Sequence, residues 1–147
     1  MAAHEIVIDR SPSEVFTWLD DPQKARQWVP GLVDIQPITP GGSRAGAKAR
    51  HVYRENGRTF ETEEEMLIYE PNRHIKIRGR AAGFEMTAEY QLSPTGAGTL
   101  LRFESTLRFN NPVMRLLTPL LTRGADQRTV QDLQRLKALV EAGGSAT

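Results

Sequence analysis

The stretch YRENGRTFETEEEM, residues 53–66, decides the fold. Asn56-Gly57 is the pair that a two-residue type I′ hairpin turn demands, because both central positions of that turn need positive φ. Alternation on either side of it predicts two antiparallel strands. The turn also sets their register, with Glu55 facing Arg58. One face then carries Arg50 opposite Glu63 and Lys48 opposite Glu65. The other carries Tyr53 with Phe60, His51 with Thr62, Ala49 with Glu64 and Ala47 with Met66. Opposite charges facing one another across a strand pair mark the solvated side. Glu63 and Glu65 therefore point outward, and Glu64 lands on the apolar face, diagonal to His51. A carboxylate there is costly unless partnered. Glu64 with His51 as proton partner is the candidate catalytic pair. The competing readings are a structural hydrogen bond, or a bulge that returns Glu64 to solvent.

The same pattern extends in both directions. If Ala82-Gly83 is a turn, Arg80 faces Glu85 and Lys76 faces Glu89, while Ile75, Ile77 and Gly79 lie against Tyr90, Ala88 and Met86. Alternating segments near 32–39, 45–55, 58–70, 73–81, 84–93 and 99–109 read as strands separated by turn chemistry. The last directs Leu101, Phe103, Ser105, Leu107 and Phe109 inward, its register left open by the SPTGAG loop. Upstream, AHEIVID predicts a further strand. Ser11-Pro12-Ser13-Glu14 is a capping box with proline at the first helical position, and Asp21-Pro22 starts a second short helix that carries Trp28. Trp18 and Trp28 read as packing residues. Downstream, Asn110-Asn111-Pro112 opens a long helical stretch ending at Ala142-Gly143-Gly144. Its expected inner stripe is Met114, Leu117, Leu121, Ala125, Leu136 and Leu139, with Arg128 and Asp132 as an (i, i+4) pair on it. At Pro119 and Gly124 that stretch either kinks or divides into two helices.

Composition narrows the function. The chain has 147 residues, 39% hydrophobic and 25% charged, with a net charge of +1. That length suits one domain, with an ordered core over about residues 3–142. A near-neutral chain whose basic stripe His74, Lys76, Arg78 and Arg80 faces carboxylates is a poor nucleic-acid binder. No cysteine is present, which excludes disulfides and thiolate chemistry. The three histidines are scattered, so no metal site is expected. No run approaches the ~20 apolar residues of a bilayer span, and the N-terminus lacks signal-peptide features, so the expectation is a cytoplasmic protein without stable membrane insertion.

The element order, and the segments IDRSPSEVFTWLDDPQKARQWVPGL, YEPNRHIKIRG, GAGTLLRFES and DLQRLKALVE, resemble the helix-grip, or START-like (SRPBCC), superfamily. The likeness is strongest to the bacterial polyketide cyclase/dehydrase and lipid-transport branch. It implies an α+β fold: a seven-stranded curved antiparallel sheet wrapped around a long C-terminal helix, with two short helices between strands 1 and 2. It also implies an apolar cavity between sheet and helix, and it carries no universal catalytic signature.

In this register the candidate ligand-binding residues are Tyr53, Phe60, Met66, Ile77, Met86, Tyr90, Phe103, Ser105, Leu117, Leu121 and Arg128. The expected partner is a hydrophobic small molecule, lipid- or polyketide-like, bound without a cofactor by a monomer or homodimer. Two alternatives stand beside it. One is an enzyme of the cyclase/dehydrase type that moves protons through Glu64 and His51. The other is a protein-interaction module using VMRLLTPLL, residues 113–121, a segment that also suits a cavity lid, a dimer face or a membrane-contacting patch.

Overall fold

The computed structural model describes residues 2–144. Strand β1 (Ala2–Ile8) leads into α1 (Pro12–Asp20), where the Ser11 hydroxyl accepts from the Glu14 amide at 3.3 Å. Asp21 closes α1 and opens α2 (Pro22–Trp28), its carboxylate accepting from the Gln23 amide at 2.9 Å. Six strands come next: β2 (Leu32–Pro37), β3 (Lys48–Glu55), β4 (Arg58–Glu70), β5 (His74–Ala81), β6 (Phe84–Thr95) and β7 (Gly98–Phe109). Three helices complete the chain: α3 (Pro112–Leu116), α4 (Thr118–Leu121) and α5 (Ala125–Gly144). The end of the C-terminal tail lies outside the described residues.

The strands make one antiparallel sheet in the order β1-β7-β6-β5-β4-β3-β2. Both hairpins take the expected registers, with Glu55 facing Arg58 and Arg80 facing Glu85. Asn56 and Gly57 have φ of 51° and 76°, as the type I′ turn requires. The open register of β7 resolves to Phe103 opposite Tyr90 and Leu101 opposite Leu92. Three outward pairings differ in partner, the first being Glu89, which meets His74 at 2.5 Å and not Lys76. Arg50 turns to Glu61, its diagonal neighbour, at 3.1 Å, and Glu65 meets Arg78 across the other side of β4 at 3.0 Å. A central strand has two neighbours, and the nearest charge is not always the one the hairpin sets opposite.

A bulge interrupts β4. Met66 faces Ile77, but Ile68 faces Lys76, so Leu67 is an extra residue. One inserted residue reverses the faces beyond it. Tyr69 thus turns inward, beside Ile75, and meets Phe16 of α1 edge-on at 5.6 Å between ring centroids.

The C-terminal stretch divides. Pro119 cannot donate to a continuing helix, and Leu117 caps one short helix as Thr118 begins the next. Gly124, at φ 79°, re-aims the chain before α5. The inner stripe of α5 is Leu133, Leu136 and Val140, packed with Ile8, Ile75, Leu92 and Leu101 of the sheet. This phase corrects the expected stripe. Leu117 and Leu121 stand outside α5 and are exposed. Arg128 is also exposed, because the phase that buries Leu133 and Leu136 turns Thr129 and Asp132 inward instead. Asp132 pairs with Arg135 at 3.1 Å, not with Arg128. A polar clasp holds α5 against β1: Lys137 Nζ donates to the Val7 carbonyl at 2.8 Å and to Glu141 at 2.6 Å, and the Asp9 amide donates to Glu141 at 2.8 Å.

Candidate functional site

Two chambers lie against the inner face of the sheet. The first, of about 310 Å³, is bounded by Trp28, Tyr53, Phe60, Met86, Tyr90, Phe103 and Ser105, with Thr129, Asp132 and Leu133 of α5. The second, of about 370 Å³, is bounded by Leu19, Asp20, Ile35, Ala47, Ala49, His51, Glu64, Met66 and Ile77, and by the loop around Pro40–Ser43. Small residues make this space. Ala47, Ala49 and Ala88 leave room where larger side chains would reach the helices. At Gly79 an added Cβ would come within 3.2 Å of Met86 Cγ and 3.5 Å of Glu64 Cγ. That bare backbone lets the Glu64 side chain lie across β5.

Glu64 sits on the partition between the chambers, 6% exposed. Its Oε2 accepts from Thr62 Oγ1 at 2.8 Å and from the Tyr53 hydroxyl at 3.2 Å. His51 Nδ1 stands 3.2 Å from the same oxygen, yet that contact is misaligned, and Nδ1 has no hydrogen-bond partner among the described residues. Both hydroxyls border the first chamber, whereas His51 and Glu64 border the second.

The electrostatics stem from burial. Desolvation lowers the His51 pKa below the usual imidazole value of 6.5, against the opposing pull of Glu64, so the ring is neutral at neutral pH. Burial first, and the Glu64 charge second, push the Tyr53 and Tyr90 hydroxyls far up, which keeps both as proton donors. Burial raises the Asp132 carboxyl, and Arg135 and Arg128 oppose it. Tyr53 stacks on Phe60 at 5.2 Å between centroids, and Tyr90 packs on Phe103 at 4.9 Å and edge-on to Trp28 at 6.2 Å. A neutral imidazole beside a carboxylate can receive a proton, and the hydroxyls can orient a polar group in an otherwise apolar space.

Among the sequence candidates, Tyr53, Phe60, Met86, Tyr90, Phe103 and Ser105 come together at the first chamber. His51, Glu64, Met66 and Ile77 come together at the second. Leu117, Leu121 and Arg128 line neither. Three further polar residues belong to the site. Thr62 is legible in the sequence as the partner of His51 in the hairpin register. Asp20 and Tyr69 are not: Asp20 ends α1, and the β4 bulge brings Tyr69 inward to donate to Asp20 Oδ2 at 2.8 Å. Burial, and then Asp20, push the Tyr69 hydroxyl up to about 12.

Comparison with known proteins agrees with this architecture. A model of the polyketide cyclase/dehydrase and lipid transport family matches residues 2–141. The chain belongs to that family. Among curated proteins none matches it in sequence. Solved structures share its fold. The protein TTHA0849 from Thermus thermophilus superposes with a TM-score of 0.76 at 17% identity, over 99% of each chain. Ara h 8.0201 does so with a TM-score of 0.73 at 12% identity, over 97% of each chain. DynU16, a protein of the dynemicin biosynthetic locus, gives 0.68 at 16% identity, over 97% of this chain and 47% of its own. No helix among the described residues is long and apolar enough to cross a membrane.

Proposed function

We propose that the protein binds an apolar or aromatic small molecule, lipid- or polyketide-like, in the chambers on the inner face of the sheet, the first beneath α5 and the second beside α1, α2 and the Pro40–Ser43 loop. The observation that carries this reading is the pairing of unfilled space with its lining. Chambers of about 310 and 370 Å³ are walled mainly by aliphatic and aromatic side chains, with a few convergent polar groups on the partition. Each volume lies at the small-ligand end of the usual range of about 300–1,000 Å³. Membership of a family described as cyclases, dehydrases and lipid transporters supports a ligand-binding role. The test is fluorescence titration with a neutral apolar probe, N-phenyl-1-naphthylamine. Saturable binding in the roughly micromolar range, reversed by a polycyclic aromatic competitor and weakened by Ala88→Leu in the first chamber or Ala49→Leu in the second, is the expected result. Titration without saturation, or binding untouched by both Ala88→Leu in the first chamber and Ala49→Leu in the second, overturns the reading.

A second reading has its own observation. The neutral His51 beside the buried Glu64 carboxylate, at 3.2 Å, is suited to proton transfer on a carbonyl substrate. In that case Glu64→Gln lowers turnover by about 100-fold while binding is retained, as removal of a general acid–base does. For a carrier, the same substitution alters only the affinity for ligands with a polar end.

A further inference from the structure

The second chamber contains two carboxylates held in the same unusual way. Glu64 is bound through Oε2 by two hydroxyls, and no hydrogen bond from the described residues reaches its Oε1. Asp20 is bound through Oδ2 by Tyr69, and its Oδ1 is buried without a partner among the described residues. In each case a tyrosine fixes one oxygen and leaves the other as an unused acceptor. Asp20 Oδ1 is a buried acceptor of the kind seldom left unpaired, because an unmade bond retains its desolvation cost, whereas Glu64 Oε1 keeps some exposure to the chamber. The third polar group there, His51, is neutral and also lacks a hydrogen-bond partner among the described residues. Lys48 is the cation bordering the chamber, and its side chain is exposed.

From this arrangement we infer that the second chamber receives the polar end of the ligand, and that this end donates hydrogen bonds without carrying negative charge. A hydroxylated or amino head fits; a free carboxylate does not. The inference rests on the proposed binding role and narrows its ligand class. The physical reason is one of sign. A hydroxyl or ammonium group can donate to Asp20 Oδ1 or Glu64 Oε1, whereas an anionic head would meet two carboxylates in a desolvated space. The apolar body of the ligand then extends along Met66 and Ile77.

Three probes of equal chain length separate the possibilities: 1-dodecanol, dodecylamine and dodecanoate, each below its micelle threshold. Each displaces N-phenyl-1-naphthylamine from the purified full chain at pH 7.5. The alcohol and the amine should compete at least about tenfold more tightly than the carboxylate, the worth of one well-placed hydrogen bond. Asp20→Asn, which keeps shape and removes charge, should narrow that ratio severalfold while its melting profile is compared with wild type. The wild-type series needs no folded variant, so the inference stands or falls on it alone. Dodecanoate competing as well as the alcohol overturns the inference and leaves the binding role intact. A naphthylamine probe that never binds overturns both.

Discussion

Thr62→Val is the sharpest test of how Glu64 is held. Thr62 is 1% exposed, and its hydroxyl makes the shortest bond to the carboxylate, 2.8 Å. Valine has nearly the same shape, so the substitution removes a donor without opening a cavity. Losing a hydrogen bond to a charged group costs about 1.5–3 kcal/mol. The added methyl returns roughly 0.8 kcal/mol of burial. The net loss is about 1–2 kcal/mol, which for a domain of this size lowers Tm by roughly 2–8 °C. Urea unfolding and calorimetry both measure it. The same substitution made on top of Glu64→Gln should cost close to nothing, because a neutral bond is worth only about 0.5–1.5 kcal/mol and the methyl offsets it. The coupling between the two sites is then about 1 kcal/mol. Equal costs in both backgrounds would show that Thr62 does not hold the carboxylate at all.

Two further outcomes are expected from the same structure. Because burial lowers the folded-state pKa of His51 below its unfolded value of 6.5, the unfolded chain takes up that proton first as pH falls. Stability should be full above that value, decline below it, and level off once the folded-state pKa is passed. His51→Gln should remove this part of the decline in urea midpoints measured from about pH 8 to 5, and parallel profiles for the two proteins would refute the burial argument. The segment 112–124 should exchange its amides faster than 126–141, since Val113, Leu116 and Leu120 are 63%, 84% and 62% exposed. Ligand should slow that exchange if the segment closes the cavity, and equal protection along both stretches would count against a gate.

Much of the sheet is legible in the sequence because its information is local. Asn56-Gly57 dictates a turn, the turn dictates register, and register decides which of three consecutive glutamates goes inside. The C-terminal region is less legible, because helical phase persists only while the helix does. Pro119 and Gly124 are visible as interruptions, but the rotation each imposes on the next helix is not. A stripe carried in one phase from Met114 to Leu139 therefore places Leu136 correctly but also puts Leu117, Leu121 and Arg128 inward, and it misses Leu133 and Val140, which are buried.

The Asp20–Tyr69 pair is hidden for a different reason. Simple alternation along β4 puts Glu64, Met66 and Ile68 on one face and Tyr69 on the other. The extra residue at Leu67 breaks that alternation, and no glycine or proline in LIYE marks it. What the bulge accomplishes is positional. It keeps Glu64 inside before the break and brings Tyr69 inside after it, so a single strand supplies one carboxylate and the hydroxyl that fixes the other. A uniform strand could not present both to the same side of the sheet. Tyr69→Phe would keep the ring inside and release Asp20 from its 2.8 Å bond. If the second chamber selects donor-bearing ligands through a held Asp20, that substitution should weaken the preference while the Asn56-Gly57 hairpin keeps Glu64 in place. A Tyr69→Phe variant that stays folded and retains the full preference would assign the selection to Glu64 alone.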